Sequence, residues 1–330
     1  MPSEFELIAR HFVRPVGPRT RLGVGDDCAI LAPEPGQELL VSTDMLVCGT
    51  HFLADDDPAG LGWKTAAVNL SDIAAMGGTP RWITLALALP TIDEAWVAAL
   101  ADGFAACCAR YDVDWVGGDT TRGPLTLSAT VFGEAPRGTA IRRDGAGAGD
   151  DIWISGRPGL AALGLAQRLG QLELAADWRA TCLQALARPE PRVQLGLALR
   201  GVATAMQDVS DGLAGDLGHI LARSGCGAQL DEASLPLGPA LAACDSAACA
   251  RRALLQGGDD YELVFTAPAS ARARLDALAG ELALPLHRIG RCVEERGLWL
   301  VQHDGAQAPL TPRGFDHFGA EADTGGAAPA

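Results

Sequence analysis

Residues 64–78, KTAAVNLSDIAAMGG, constrain the fold more than any other stretch of this chain. They read as the body of one helix. Asp57 followed by Pro58 supplies an N-cap residue with a proline at the first helical position. Gly77, Gly78 and Pro80 end it. Ala66, Ala67, Leu70, Ile73 and Ala74 form an apolar face of small residues. Thr65, Asn69 and Asp72 recur at i, i+4 and i+7 and so share one polar stripe. On a surface helix that stripe faces water. On a buried one, the amide and the carboxylate need partners, because burying them unpaired is costly.

The chain is long enough for two domains and a sizeable core: 330 residues, 48% of them hydrophobic. Forty-one acidic side chains against 26 basic ones leave a formal charge of -15, so no basic stripe is on offer to a nucleic acid. The nine cysteines are odd in number and form no CxxC pair, which suits a reducing cytoplasm. The N-terminus shows no basic segment followed by an apolar run, so no signal peptide is expected. The longest apolar strip, 82–89, is too short to span a bilayer.

In order, residues 1–22 predict a helix and a basic connection. The segment Gly23-Val-Gly25-Asp26-Asp27-Cys28 predicts a turn before a strand, with the Cys28 thiol buried in it. Strands are expected at 39–43, 82–89, 113–116 and 125–131, and an amphipathic helix at 93–110. Gly117-Gly118-Asp119-Thr120-Thr121 reads as a loop after the third of these strands. The Gly/Ala/Pro-rich stretch 134–150 predicts a linker and hence two domains, 1–138 and 139–318, followed by a disordered tail at 319–330. The second domain opens with a strand at 151–155 and helices near 159–170 and 178–187. Later, Asp208-Val-Ser210-Asp211-Gly212 ends a strand and starts a helix, and Gly257-Gly258-Asp259-Asp260-Tyr261-Glu262 precedes a strand at 263–266.

Asp27, Asp44, Asp72, Asp119, Asp208 and Asp211 fall at expected strand ends or on the helix beside them, where α/β proteins place ligands. Converging acids repel one another and raise their pKa values unless cations neutralise them. Hard oxygen donors without a Cys or His cluster select magnesium or calcium rather than zinc. No GxxxxGK[ST], kinase HRD or DFG, or HExxH motif occurs. Asp112-Val-Asp114 is a lone DxD, a weak phosphatase signal placed in an expected strand.

Taken together, GVGDDCAIL, STDMLVCGTHF, KTAAVNLSDIAAMGG, GGDTTRGPL, DVSDGL and GGDDYELVF resemble the thiamine-monophosphate kinase family of the aminoimidazole ribonucleotide synthetase-like superfamily. The match spans about 5–318, with the motifs in the family's order. The resemblance implies an α/β fold of two domains, an N-terminal mixed sheet with helices and a C-terminal α/β domain, in a homodimer built through N-terminal sheets. It implies ATP-dependent phosphorylation of thiamine monophosphate to thiamine diphosphate in the cytoplasm. Carried over to this sequence, it makes Asp27, Ser42, Thr43, Asp44, Asp72, Asp119, Asp208 and Asp211 ligands of several magnesium ions, with Asp72, Asp119 and Asp208 central to catalysis. It assigns ATP contacts to Tyr111, Gly118, Asp119, Arg143 and Ser210, and thiamine contacts to His51, Asp259 and Phe315. Asp259 stands where a Glu is common, and Phe315 where an aromatic with a polar tip is frequent.

The chemistry agrees. The acceptor phosphate is largely ionised at pH 7, its second pKa being about 6, so no strong base is needed. The task is to bring two polyanions together. A selenophosphate synthetase-like enzyme of the same superfamily would need a reactive cysteine in a glycine-rich segment, and a metal-dependent phosphohydrolase would release phosphate without an acceptor. Lys64 stands apart as the only lysine in a chain whose other basic residues are all arginine. A compact ammonium differs from a planar fork, so this position predicts either a tight pocket for the lysine or a chance remnant of arginine bias.

Overall fold

The computed structural model describes residues 4–312, 314 and 315; the tail expected at 319–330 lies outside them. The first half of the chain contains α1 (Glu4–His11), β1 (Thr20–Leu22), β2 (Ile30–Leu31), β3 (Gln37–Val47), α2 (Pro58–Ala75), β4 (Thr79–Leu89), α3 (Glu94–Arg110), β5 (Asp114–Arg122) and β6 (Thr126–Pro136). The second half contains β7 (Asp151–Ser155), α4 (Leu160–Arg168), α5 (Ala176–Ala187), α6 (Val193–Ala198), β8 (Ala205–Val209), α7 (Leu213–Ser224), β9 (Gly227–Asp231), α8 (Gly238–Cys244), α9 (Ala247–Gln256), β10 (Glu262–Ala267), α10 (Arg272–Leu282), β11 (Leu286–Val293), β12 (Leu298–Val301) and β13 (Gln307–Pro309).

Four strands in the order β3-β6-β4-β5 make the first sheet. Only β4 and β5 pair in parallel, joined through α3 as a βαβ crossover. One sheet face buries Leu85, Leu87, Leu127, Ala129 and Val131 in the core shared with α2 and α3. On β3 the alternating residues Leu39, Val41 and Met45 point the other way and are exposed. Seven strands in the order β13-β12-β9-β11-β7-β10-β8 make the second sheet. Helix α7 packs with one of its cores and α10 with another.

Helix α2 lies where the two halves meet. It packs on α3 and on β3, β4 and β6, and also on α5, α6 and edge strand β8. That contact covers an edge otherwise open to further pairing. Its ends follow the sequence. The Asp57 carboxylate accepts from the Gly60 N–H at 2.8 Å, and Gly77 takes a left-handed φ of 66°. Gly77 and Gly78 then donate to the Ala74 and Ile73 carbonyls, a Schellman-type stop. The middle differs from a surface helix: Lys64, Thr65, Asn69 and Ser71 are all buried.

Four expectations need correction. β3 runs on through Asp44 to Val47, and β5 carries the whole Gly117–Arg122 segment as strand rather than loop. Pairing with β6 and β4 supplies the backbone partners that propensity gives no sign of. Asp44 and Asp119 therefore sit inside strands, not at their ends. Asp112, with φ of 56°, precedes β5, so the DxD pair straddles a turn. Cys28 is exposed rather than buried.

The α2–α3 crossing depends on missing side chains. A Cβ on Gly62 would stand 2.0 Å from the Leu100 carbonyl oxygen, and one on Gly103 1.9 Å from that of Ala59. Gly62→Ala should therefore destabilise the protein by about 2 kcal/mol in urea melts, the usual order for overpacking a core. Gly280→Ala on exposed α10 meets nothing within 4 Å and should be neutral or stabilising by up to about 1 kcal/mol. A Gly62→Ala melt that overlays wild type contradicts the close crossing.

Candidate active site

The polar side chains of α2 reach to both sheets. The Ser42 hydroxyl on β3 donates to the Asp72 carboxylate at 2.5 Å. The Asn69 amide oxygen accepts from the Asp44 backbone N–H at 3.1 Å, and its amino group donates to the Thr65 carbonyl at 3.0 Å. The Ser71 hydroxyl donates to the Asp208 carboxylate of β8 at 2.7 Å. Lys64 forms an ion pair with Asp259 at 2.9 Å.

Four of the expected acids form one electrostatic cluster. Burial lifts the Asp44 pKa from 3.8 to about 7, helped by the negative charges of Asp72 and Asp211. Burial also raises Asp72, which the Ser42 hydrogen bond and the Arg143 charge partly offset. Asp208 rises furthest, through burial and then the charge of Asp72. The loop after β8 is tied down by Asp216 of α7, whose carboxylate accepts from the Asp211 and Gly212 N–H groups at 3.0 and 3.1 Å. A cavity of about 430 Å³ opens beside the cluster, lined by Ser42, Asp72, Asp208, Arg142 and Arg143 with an apolar wall that includes Met76, Ile141 and Met206. The Gly/Ala-rich segment after β6 forms part of that wall. Its Ile141 is buried and donates its N–H to the Met76 carbonyl at 2.9 Å.

The remaining expected residues lie elsewhere. Asp27, Gly118 and Asp119 line a second cavity of about 310 Å³ with Thr84 and Trp115. Gly118, at φ of 154°, lets β5 approach the Leu85 carbonyl, which a Cβ there would meet at 1.8 Å. The Thr43 side chain alternates away from Ser42 and Asp44 and shares a hydrogen bond with Thr130 at 2.8 Å. Tyr111 ends α3, where burial and the Glu190 charge raise its pKa. Its ring stands near Arg110 rather than in either cavity. Ser210 accepts the Asp259 N–H on its carbonyl at 2.9 Å, and Phe315 donates its N–H to the Asp211 carbonyl at 3.1 Å.

A third cavity, of about 360 Å³, holds His51, Lys64 and Asp259. Its apolar lining includes Phe52, Leu61, Leu165 and Leu186. The Val47 N–H donates to His51 Nδ1 at 3.0 Å, which leaves the ring proton on Nε2. Asp259 and Tyr261 both hold left-handed φ values, 66° and 51°, as non-glycine residues. Such strain persists where surrounding bonds fix it. Here the Asp259 and Tyr261 N–H groups are bonded to the Ser210 and Val209 carbonyls.

Among the described residues, no three Asp, Glu, His or Cys side chains are already arranged to hold a metal ion. The sequence left out Ser71 and Asp216, which position Asp208 and the Asp211 loop. Ser71 sits beside Asp72 on the helix, and its role depends on β8, which only the packed structure brings near. No helix is long and apolar enough to cross a membrane among the described residues.

The acid cluster sets a pH dependence. A carboxyl group whose folded pKa lies above its unfolded one stabilises the fold fully below the unfolded value and loses that contribution as pH rises through the folded one. For Asp44 the window runs from about 4 to about 7. Urea melts in chelator should show stability falling across that window, and Asp44→Asn should flatten part of the fall. A variant with the wild-type slope contradicts the assignment.

The family model for the N-terminal domain of AIR synthase related proteins matches residues 25–135, and that for their C-terminal domain matches 147–301. The thiamine-monophosphate kinase of Salmonella typhimurium is 46% identical over 320 residues, covering 96% of this chain and 98% of its own. The crystal structure of thiamine-monophosphate kinase from Stenotrophomonas maltophilia aligns with a TM-score of 0.81 at 47% identity, over 92% of this chain and 96% of that one. AaThiL complexed with AMPPCP and TMP aligns with a TM-score of 0.75 at 31% identity, over 87% and 89%.

Proposed function

On the premise that the chain belongs to the thiamine-monophosphate kinases of the AIR synthase related family, we propose how its own residues carry that family's reaction. The protein is an enzyme that phosphorylates thiamine monophosphate with ATP to give thiamine diphosphate. The observation that carries the residue-level reading is the acid cluster of Asp44, Asp72, Asp208 and Asp211 beside a cavity edged by arginines.

Those carboxylates fit magnesium. They are hard oxygen donors, and the burial that favours their protonated forms is a cost a divalent cation removes. Asp44, Asp72, Asp208 and Asp211, with the Ser42 hydroxyl, would hold ions beside the larger cavity, and Asp27 and Asp119 beside the second. Thr43 would contribute through its backbone, since its side chain turns to Thr130. Bound magnesium neutralises phosphate charge and favours in-line transfer. Arg143 stands close enough to influence Asp72 and would contact the ATP phosphates; Gly118, Asp119 and Ser210 would be further ATP contacts, Asp119 by way of magnesium. Tyr111, whose ring stands beside Arg110 at the end of α3, would be another ATP contact.

The His51–Asp259 cavity takes the heterocycles of the acceptor. Its apolar lining suits the rings, His51 Nε2–H offers a donor, and Asp259, already paired with Lys64, would border the thiazolium. Lys64 and Asp72 are eight residues apart on α2, about 12 Å along its axis. An acceptor seated at the Lys64 end can thus extend its phosphate towards Asp72. Phe315, tied to the Asp211 loop by its backbone N–H, would be the aromatic contact to the rings. No residue here needs to act as a strong base, because the acceptor oxygen is already ionised. The exposed Leu39, Val41 and Met45 on the open sheet face suit a homodimer formed through the N-terminal sheets.

Incubation with ATP, magnesium and thiamine monophosphate tests the reading: thiamine diphosphate and ADP should appear together. Free phosphate with no thiamine diphosphate points to a hydrolase instead. Asp72→Asn should remain folded, because Ser42 can still donate to the amide oxygen, yet lose at least nine-tenths of its turnover, a barrier increase of about 1.4 kcal/mol or more. Retention of more than a tenth removes Asp72 from the core of the mechanism. Transfer should be direct, so acid-quenched protein incubated with labelled ATP alone should carry no stoichiometric phosphate; a labelled protein contradicts this.

A further inference from the structure

The chain's only lysine is buried in the acceptor cavity. The Lys64 side chain is 6% exposed and its ammonium lies 2.9 Å from one Asp259 oxygen. The Tyr261 hydroxyl lies 3.3 Å from the other. Asp259 itself is held by its strained backbone and by its N–H bond to Ser210. The carboxylate is therefore fixed, and its charge is already matched by a cation before any substrate arrives. The other acids around this cavity outnumber the cations beside them, but the excess lies on Asp55 and Asp57, whose side chains are mostly exposed to water. Arg168 pairs with Asp55 and Asp56 at 2.8 and 2.9 Å, and Asp57 caps α2. His51 carries its proton on Nε2 as the neutral ring.

This arrangement bears on which ligands the cavity accepts. A bare aspartate in a pocket shielded from water attracts any cationic ring of the right size. Paired with a fixed ammonium, it presents no net charge, and an incoming thiazolium meets repulsion from Lys64 as well as attraction from Asp259. We propose that Lys64 is a specificity-determining residue: by holding Asp259 in an ion pair, it denies the cavity to unphosphorylated thiamine, so that affinity depends on the phosphate reaching the Asp72 end of α2. The inference rests on the reading of this cavity as the acceptor site. Arginine would not substitute neatly, because its broad fork does not fit where a compact ammonium sits buried.

Calorimetric titration of the full chain with thiamine and with thiamine monophosphate tests it, using wild type, Lys64→Met and Lys64→Gln, each first checked for cooperative unfolding. Both variants should bind thiamine about tenfold more tightly than wild type, a modest share of what close, shielded charge pairs show in double-mutant cycles. The preference for thiamine monophosphate over thiamine should shrink accordingly. A purely structural lysine would weaken both ligands together. Thiamine binding to the variants that is unchanged or weaker overturns the proposal. Wild type provides a second measurement that needs no variant. It should bind thiamine and an analogue with an uncharged ring in place of the thiazolium within about threefold of each other, since a neutral pair gains little from the ligand's charge; a preference for the cation above about tenfold overturns it. Failure of wild type to bind thiamine monophosphate at all would instead refute the acceptor-site reading beneath it.

Discussion

A helix buried on every side cannot carry an unpaired ammonium, amide, hydroxyl or carboxylate, and α2 carries such groups on Lys64, Asn69, Ser71 and Asp72. Their partners define the molecule. Asn69 and Asp72 bond back to β3, in the first sheet. Ser71 and Lys64 bond to Asp208 and Asp259, in the second half of the chain. The contacts that satisfy the helix are thus the same ones that register the two halves and place the acids. Small residues make this possible, because glycines at 62 and 103 let α3 come close enough to seal the helix from water.

The protein treats its buried acids in two ways. Asp151 is paired with Arg272 at 2.6 Å, and Glu262 accepts two hydrogen bonds from Arg192 at 2.7 and 2.6 Å. Glu134 is paired with Arg81 at 3.0 Å. These are structural anchors with their charge matched in place. Asp44, Asp72 and Asp208 receive hydroxyls or nearby charge instead, and no arginine contacts them in an ion pair among the described residues. Their pKa values rise accordingly. Acids left without a fixed counter-ion beside a cavity await a mobile one, and perturbed acids of this kind mark functional sites more often than structural ones.

Much of this was legible in the chain. The helix at α2, its cap and its glycine stop follow from local chemistry that survives in the fold. Asp72, Asp208 and Asp211 share motifs whose setting beside strands and helices is visible in sequence. Lys64 stood out by composition, but its partner did not, because Asp259 lies almost two hundred positions away and approaches only when the two sheets share α2. The extents of β3 and β5 were missed for a similar reason: Ser-Thr-Asp and Gly-Gly-Asp-Thr-Thr read as turns until cross-strand pairing claims their backbone groups. Alternation along β3 then separates Thr43 from Ser42 and Asp44, a distinction that a motif read as a unit does not draw.

Burial favours the protonated forms of these acids, and a divalent cation would take the place of the protons. Proton release on magnesium binding measures it directly. Titrating magnesium into the protein by calorimetry at pH 6, in two buffers of different ionisation enthalpy, should show release of about one proton or more, and the release should shrink as pH rises through the raised pKa of about 7 for Asp44, leaving the share of Asp208, which is raised further. Magnesium binding with no buffer-dependent heat at pH 6 would mean the carboxylates are already ionised, and the account of the acid cluster would be wrong.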